Sequence, residues 1–406
     1  DGPPVRLRIM GEDLLAFRDT KGQVGIINAY CRHKLAPLFY GRNEECGIRC
    51  VYHGWKYDVN GVCVDMPNVP SLKEGKKPPS RASIKAYPTR QAGGLVWVYM
   101  GPKDLQPELP QMEWMYVPAG HAHVARWHQA TNWAQGMEGE IDTSHVSFLH
   151  SSVHPEDMPL PIKYATDGAP VITMKDTDYG FVYGARRTYE DKYYWRVTQW
   201  MAPMWSGIAG PVSPFFGQGR AWVPVDDYST NTFGYNYRVD RPYTPLEIED
   251  LESGRLFPPR MKRGTLEMKN GYVIDTFLPE ANKGNDYLID RARQKKATFT
   301  GIYGVNEQDR SLQESLPSLS GEPPGIADRS QEFLVVSDKP VMKAREYLIQ
   351  KARDLAEKGI EPTMASDGSL YKVRPMASLN KVSDFEELLV EYGEQLISEY
   401  SEVEAG

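Results

Sequence analysis

Apolar and polar residues alternate in short runs through the first hundred positions. Leu14-Leu15-Ala16-Phe17-Arg18 and Val24-Gly25-Ile26-Ile27 flank Asp19-Thr20-Lys21-Gly22, the pattern of two strands around a turn. Trp55-Lys56-Tyr57-Asp58 and Val62-Cys63-Val64 flank Asn60-Gly61, a dipeptide suited to tight hairpins because both residues tolerate positive φ. Leu95-Val96-Trp97-Val98-Tyr99 reads as a further, buried strand. These runs predict a small all-β unit. Prolines then punctuate the chain from Pro102 to about Pro118, so the boundary falls there and divides the chain into residues 1–110 and 111–406. Beyond it, strand-like runs at 180–189, 193–201, 220–225 and 232–239 are rich in Tyr, Trp, Val and Thr. Their connections are too short for crossovers, so the pairing is antiparallel. Residues 341–358 and 382–400 carry Leu and Ile at helical spacing, with Ser383 and Glu386 at capping-box spacing before the second run. The predicted fold class is α+β.

Composition narrows the function classes. At 406 residues, 41% hydrophobic and 25% charged, the chain has room for two or three cored domains. A net charge of −7 argues against nucleic acid or an anionic membrane surface as partner. No apolar run approaches bilayer length, so a soluble protein is expected. The start at Asp1-Gly2-Pro3-Pro4 reads as the interior of a longer polypeptide. Four cysteines, Cys31, Cys46, Cys50 and Cys63, crowd into one window, which suggests a local metal or cluster site in a reducing, cytoplasmic setting.

Two Cys-His pairs stand in that window, Cys31-Arg32-His33 and Cys50-Val51-Tyr52-His53. Thiolates on one iron and imidazoles on the other would hold a [2Fe-2S] cluster in Rieske ligation. A Cys2His2 zinc site is the rival, but zinc fingers pair Cys with Cys and His with His. Cys46 and Cys63 are left over as plain buried thiols. Further on, Asp142, His145 and His150 form an Asp-x-x-His-x-x-x-x-His string. On a helix Asp142 and His145 share a face, with Glu138 one turn earlier. His150 leaves that stripe, so the helix must end, tighten or bulge if both imidazoles serve one metal. Two imidazoles and a carboxylate are the protein half of a facial triad for non-haem Fe(II). Spacing leaves Glu307, Asp309 and Glu314 as candidates for a distant third ligand. His121, His123 and His128 lack a partner at ligand spacing and read as surface or core residues; His154 is the last histidine in the chain.

The cysteine-histidine string, Cys31-Arg32-His33-Lys34-Leu35-Ala36 with Cys50-Val51-Tyr52-His53-Gly54-Trp55-Lys56-Tyr57, resembles the cluster signature of Rieske non-haem iron oxygenases. The Asp142/His145/His150 string resembles the mononuclear-iron signature of the same family. Gly41-Arg42-Asn43-Glu44, Asp65-Met66-Pro67 and Asp328-Arg329-Ser330 are similar to wording in the phthalate 4,5-dioxygenase group of α subunits. The resemblance implies a Rieske [2Fe-2S] domain over 1–110 and, over 111–406, a catalytic domain with mononuclear Fe(II). That domain would be a curved antiparallel sheet backed by helices, of helix-grip (START-like) type. Carried over by motif, Cys31, His33, Cys50 and His53 would hold the cluster, and His145, His150 and Asp309 the iron. Asp142 would bridge a cluster histidine of a neighbouring subunit, the one matching His53, to His145. A homotrimer or stacked hexamer, in which electrons cross between subunits, is likewise implied.

The implied substrate is an aromatic acid, and Arg186, Arg187, Arg196 and Arg220 offer cations that can grip a carboxylate by both oxygens. Alternation bars Arg186 and Arg187 from sharing a pocket. Arg196, within Tyr193-Tyr194-Trp195-Arg196-Val197-Thr198, is the first choice; Met201, Met204, Trp205, Phe215 and Phe216 are candidate apolar lining. Asn132 and Gln135 are candidates for shaping the iron's surroundings, with helix capping the alternative for Asn132. The expected activity is cis-dihydroxylation of a phthalate-like acid by O2. Electrons would come through a separate NAD(P)H-dependent reductase, because no nucleotide-binding glycine fingerprint occurs. The alternatives are a Rieske monooxygenase (O-demethylation or ether cleavage of a substituted benzoate) and a non-catalytic Rieske electron carrier with a ligand cavity.

Overall fold

The computed structural model describes residues 2–72, 76–152, 167–210, 216–318 and 326–400. The chain divides into two compact units: residues 1–106 with 263–277, and residues 107–262 with 278–406. The expected boundary at 110 thus meets a division at 106, and a later segment groups with the first unit.

In the first unit, β1 (Val5–Ile9), β2 (Glu12–Arg18) and β3 (Val24–Asn28) form an antiparallel meander extended by β8 (Ala86–Tyr87). A second small sheet holds β4 (Arg42–Glu44), β5 (Gly47–Arg49), β6 (Lys56–Tyr57) and β7 (Cys63–Asp65). Leu15, Phe17, Ile27, Leu38, Ile48 and Tyr57 fill the core, with Cys31, Cys50 and Cys63 among them. Cys46 departs from the expected buried thiol. It is half-buried in a turn at φ 63, and its thiol lies 2.9 Å from the Thr20 hydroxyl. The strand at 95–98 pairs with 89–92 and is half-buried rather than buried: Val98 packs against the Leu14, Ile26 and Tyr87 cluster while Val96 is exposed. Residues 263–277 join the unit through the Arg6–Asp275 ion pair (3.0 Å) and the Tyr272 hydroxyl, which donates to the Leu14 carbonyl (2.8 Å).

The second unit is built on an eight-stranded antiparallel sheet. Its main path runs β11 (Ala122–Gln129), β17 (Thr230–Arg238), β16 (Phe216–Pro224), β15 (Trp205–Ala209), β14 (Lys192–Met201), β13 (Gly180–Tyr189) and β12 (Val171–Thr177). β20 (Met376–Asn380) takes the half of β14 that β15 leaves unpaired. Helix α1 (Trp133–Ile141) starts where Asn132 accepts a hydrogen bond from the Ala134 amide (3.0 Å). It lies tight against the sheet because Gly136 has no side chain: a Cβ there would sit 2.3 Å from Trp222.

The structure corrects several sequence expectations. Asp142 and His145 do not share a helix face. α1 ends at Asp142, whose carboxylate takes the Ser144 amide and hydroxyl (2.9 and 2.8 Å) in an Asx turn. A one-turn helix α2 (Val146–Leu149) then separates the two histidines. Glu138 turns away to Arg329 and Arg345. Of the predicted C-terminal helices, the first spans Lys339–Lys358, but the second shrinks to Phe385–Glu391, capped by Asp384 rather than Ser383. Asp384 is the residue whose side chain reaches the Glu387 amide (3.0 Å), one position off the predicted box.

Candidate metal centres and active site

Two loop tips of the first unit close in the same way. The Cys31 amide donates to the Ala36 carbonyl and the Leu35 amide to the Cys31 carbonyl (both 2.9 Å). The Cys50 amide likewise reaches Trp55 (2.8 Å), and the Gly54 amide reaches Cys50 (2.9 Å). Leu35 and Gly54 occupy matching positions at φ 54 and 77. These tips place Cys31 and Cys50 in mutual contact, 1% and 2% exposed, and set the His33 and His53 rings 4.5 Å apart. His33 stacks on Trp55 at 4.7 Å, and its buried Nδ1 has no hydrogen-bond partner among the described residues. An orphaned imidazole nitrogen beside two paired thiols is the donor set a Rieske cluster takes up. The Tyr57 hydroxyl, missed from the sequence, lies 3.3 Å from Cys31 Sγ. Burial, then the neighbouring thiol, pushes its pKa far above the ordinary phenol value, so it stays a donor. Hydrogen bonds to ligand sulfur are one lever on cluster potential.

In the second unit the break after α1 turns His145 and His150 toward one point. Helix α3 (Val305–Gln313) supplies Asp309 there. One ligand atom from each of His145, His150 and Asp309 lies within 4.8 Å of the others. His150 Nε2 is 3.1 Å, and His145 Nε2 3.6 Å, from Asp309 Oδ1; the two Nε2 atoms are 3.2 Å apart. The far side of each ring explains this convergence. His145 Nδ1 faces Asp142 Oδ2 at 3.6 Å. His150 Nδ1 donates to Gln308 Oε1 (2.7 Å), an orientation set because Gln308 Nε2 donates to the Ile302 carbonyl (2.9 Å). With both Nδ1 atoms so engaged, two Nε2 lone pairs and a carboxylate oxygen meet, and a cation reconciles them. The residues therefore fit a mononuclear iron.

The charges agree with that donor set. Burial would raise Asp142, but hydrogen bonds from His145 and Ser144 hold it down at about 2. Burial would likewise raise Asp309, and the two histidines and Arg220 outweigh it. The rival carboxylates have other work. Glu314 is held by Arg310 (2.9 Å) and the Tyr287 hydroxyl (2.5 Å). Glu307 is buried outside the trio, and desolvation lifts it to about 7. Gln135 serves the Ala327 amide (2.7 Å) rather than the centre.

The trio lines a cavity together with Asp142, Arg196, Arg220 and Glu140. Ile208, Ala209, Phe216, Leu256, Phe257 and Val305 make its apolar wall. Among the described residues, Phe216 is the one member of the predicted lining on this cavity; Met201 and Trp205 are buried in the sheet core, and Met204 is half-buried away from the cavity wall. Phe215, and separately His154, lie outside the described residues. The arginines separate by strand alternation. Arg186 covers Tyr193 on one face, while Arg187 donates to the Thr143 carbonyl (2.7 Å) from the other. Arg196 reaches the cavity; burial and Arg196 oppose protonation of His145, but Asp142 and Asp309 outweigh them and raise its pKa above the ordinary imidazole value.

Residues 1–88 match the family model "Rieske [2Fe-2S] domain" and residues 98–382 the model "LigXa C-terminal domain like". The chain is 35% identical to the 3-chlorobenzoate-3,4-dioxygenase oxygenase subunit of Comamonas testosteroni over 91% of its length and 84% of that protein's. It is 37% identical to the phthalate 4,5-dioxygenase oxygenase subunit of Pseudomonas putida over 86% and 77%. The 5,5'-dehydrodivanillate O-demethylase oxygenase subunit of Sphingobium is 32% identical over 60% and 57%. Among solved structures, dicamba monooxygenase bound to dicamba shares the fold, with a TM-score of 0.57, 15% identity and coverage of 86% and 92%. No helix among the described residues is long and apolar enough to cross a membrane. With both signatures, both family models and relatives spanning most of its length, this chain belongs to the Rieske non-haem iron oxygenases, as a terminal oxygenase component with a Rieske [2Fe-2S] cluster and a mononuclear iron.

Proposed function

We propose that this oxygenase adds both atoms of O2 to the ring of an aromatic carboxylate, giving a cis-dihydrodiol. One observation carries the reading: Arg196 lines the same cavity as His145, His150 and Asp309. A planar guanidinium can take both oxygens of a carboxylate, which fixes the ring's distance and tilt relative to the trio. The apolar wall from Ile208 to Val305 packs the ring and excludes water. Asp142 holds the His145 Nδ1 proton and so keeps Nε2 turned inward.

Cys31, His33, Cys50 and His53 hold the cluster, and His145, His150 and Asp309 the iron; together these groups supply single electrons and dioxygen activation. A separate NAD(P)H-dependent reductase and a homotrimer or stacked hexamer, in the cytoplasm, complete the proposed system. Relatives named for chlorobenzoate and phthalate dioxygenation support this choice. The relative named as an O-demethylase supports a second reading, monooxygenation at the same site.

The test supplies holoenzyme with a matched reductase, NADH, labelled dioxygen and a panel of benzoates and phthalates. Coupled formation of a dihydrodiol with two labelled atoms on one ring is expected. An unlabelled ring hydroxyl together with formaldehyde that carries one labelled atom would transfer the assignment to demethylation. NADH consumption yielding peroxide across the whole panel would overturn the aromatic-acid assignment. Iron beyond the cluster's complement, lost in His145→Ala, is expected as well.

A further inference from the structure

The cavity holds one ion pair that neither ligates the iron nor anchors the acid. Glu140 is in the last turn of α1, two residues before Asp142, and Arg220 is on β16. Their side chains are 6% and 3% exposed and form a salt bridge. Glu140 also accepts from the Ser206 hydroxyl (3.0 Å). The Arg220 guanidinium lies 3.2 Å from the centre of the Phe257 ring, and its buried Nε has no hydrogen-bond partner among the described residues. A cross-tie between helix and sheet could sit anywhere along their contact; this one forms the cavity wall. Nor does burial make it a source of stability, since desolvating two charges roughly cancels their attraction.

Charge balance gives the pair a role. The wall carries two guanidiniums, Arg196 and Arg220, and three carboxylates, Glu140, Asp142 and Asp309. With a divalent iron the sum is one net positive charge, which a single carboxylate neutralises. A second carboxylate would meet Glu140 in a low-dielectric site, where like charges are costly. We infer that Glu140 determines specificity by committing Arg220, so that the cavity takes an aromatic monocarboxylate and rejects a dicarboxylate. This rests on the aromatic-carboxylate reading above and sharpens it away from a phthalate-like acid. Without Glu140, Arg220 becomes an uncompensated cation beside Phe257, suited to a second carboxylate.

The test is anaerobic calorimetric titration of holoenzyme with benzoate, phthalate and neutral benzamide. The wild type should bind benzoate at least about tenfold more tightly than phthalate, the ratio set by a like-charge contact of about 1.4 kcal/mol. Glu140→Gln should tighten phthalate by about tenfold and shift benzoate less. The double variant Glu140→Gln with Arg220→Gln restores the wild-type charge and should restore the preference for benzoate. A purely structural pair predicts instead that both variants weaken both acids alike, which would overturn the inference. A wild type preferring phthalate would also overturn it, with no variant needing to fold, and would leave the aromatic-carboxylate reading standing. Binding of benzamide without either acid would overturn that reading and this inference together.

Discussion

Replacing Gln308 with leucine removes the acceptor of the His150 Nδ1 proton and the donor to the Ile302 carbonyl, while keeping most of the volume. The bond is short, 2.7 Å, and both residues are buried, so water does not replace it. An unsatisfied buried donor costs about 1–3 kcal/mol. Without metal the His150 ring can turn, or carry its proton on Nε2 instead of Nδ1, to relieve that penalty. With iron on Nε2 it can do neither, so the cost falls on the bound state. Iron affinity should therefore drop about 10–100-fold, as for other residues that orient a metal-bound histidine. Competition with a colorimetric ferrous chelator measures this, and the cluster's visible spectrum reports whether the first unit is intact. Gln308→Glu retains an acceptor and loses only the donor to Ile302, so its affinity should lie above that of the leucine variant. If Gln308→Leu folds and holds iron within about twofold of wild type, the hydrogen bond does not position His150.

Three further outcomes follow from packing and charge. Arg374 grips Glu113 through Nε (2.8 Å) and a terminal nitrogen with both side chains buried, so Glu113→Ala leaves the buried cation to the exposed Glu399 carboxylate (3.2 Å) and should destabilise by about 3 kcal/mol, the low end for a broken buried pair, read in urea unfolding. Gly136→Ala gains about 1 kcal/mol of helix propensity but drives a methyl into Trp222, and overpacking costs about 1–3 kcal/mol, so the net effect is a lower Tm and a displaced iron helix. Burial depresses His128 to about 4 from an ordinary value near 6.5. The unfolded chain takes up that proton first, so the stability due to neutral His128 is complete above about 6.5 and is lost as pH falls toward about 4. Between pH 7 and 5 the loss is about 2 kcal/mol, and His128→Gln should lose that much less stability than wild type over the same interval.

Much of this protein is legible along the chain. The Asp19–Gly22 and Asn60-Gly61 turns mark hairpins because turn chemistry is local, and the Tyr- and Trp-rich runs mark strands because both faces of the large sheet are buried. The Cys-His pairs and His145/His150 stand out because ligand chemistry admits few residue types at short spacing. What the sequence hides is mostly where helices stop. The Asx turn at Asp142 breaks the spacing that on a helix places Asp142 and His145 on one face, and Asp384 takes the cap predicted at Ser383.

Other assignments exist only in three dimensions. Glu307, Asp309 and Glu314 are alike in spacing, and along the chain it is the motif resemblance that favours Asp309. α3 turns Asp309 toward the histidines, while Glu314 goes to Arg310 and Tyr287. Gln308 reaches His150 across 158 residues, and Tyr57 meets Cys31 across 26, distances that no local pattern encodes. The four candidate arginines, of which Arg196 is the first choice by sequence, are likewise sorted by strand facing and by partners from elsewhere in the chain. The sequence by itself determined which groups can hold iron and sulfur, because that follows from side-chain chemistry and spacing. The tertiary structure adds the Gln308 amide behind His150 and the Glu140–Arg220 pair in the cavity wall, because those depend on how helices and a sheet distant in sequence pack together.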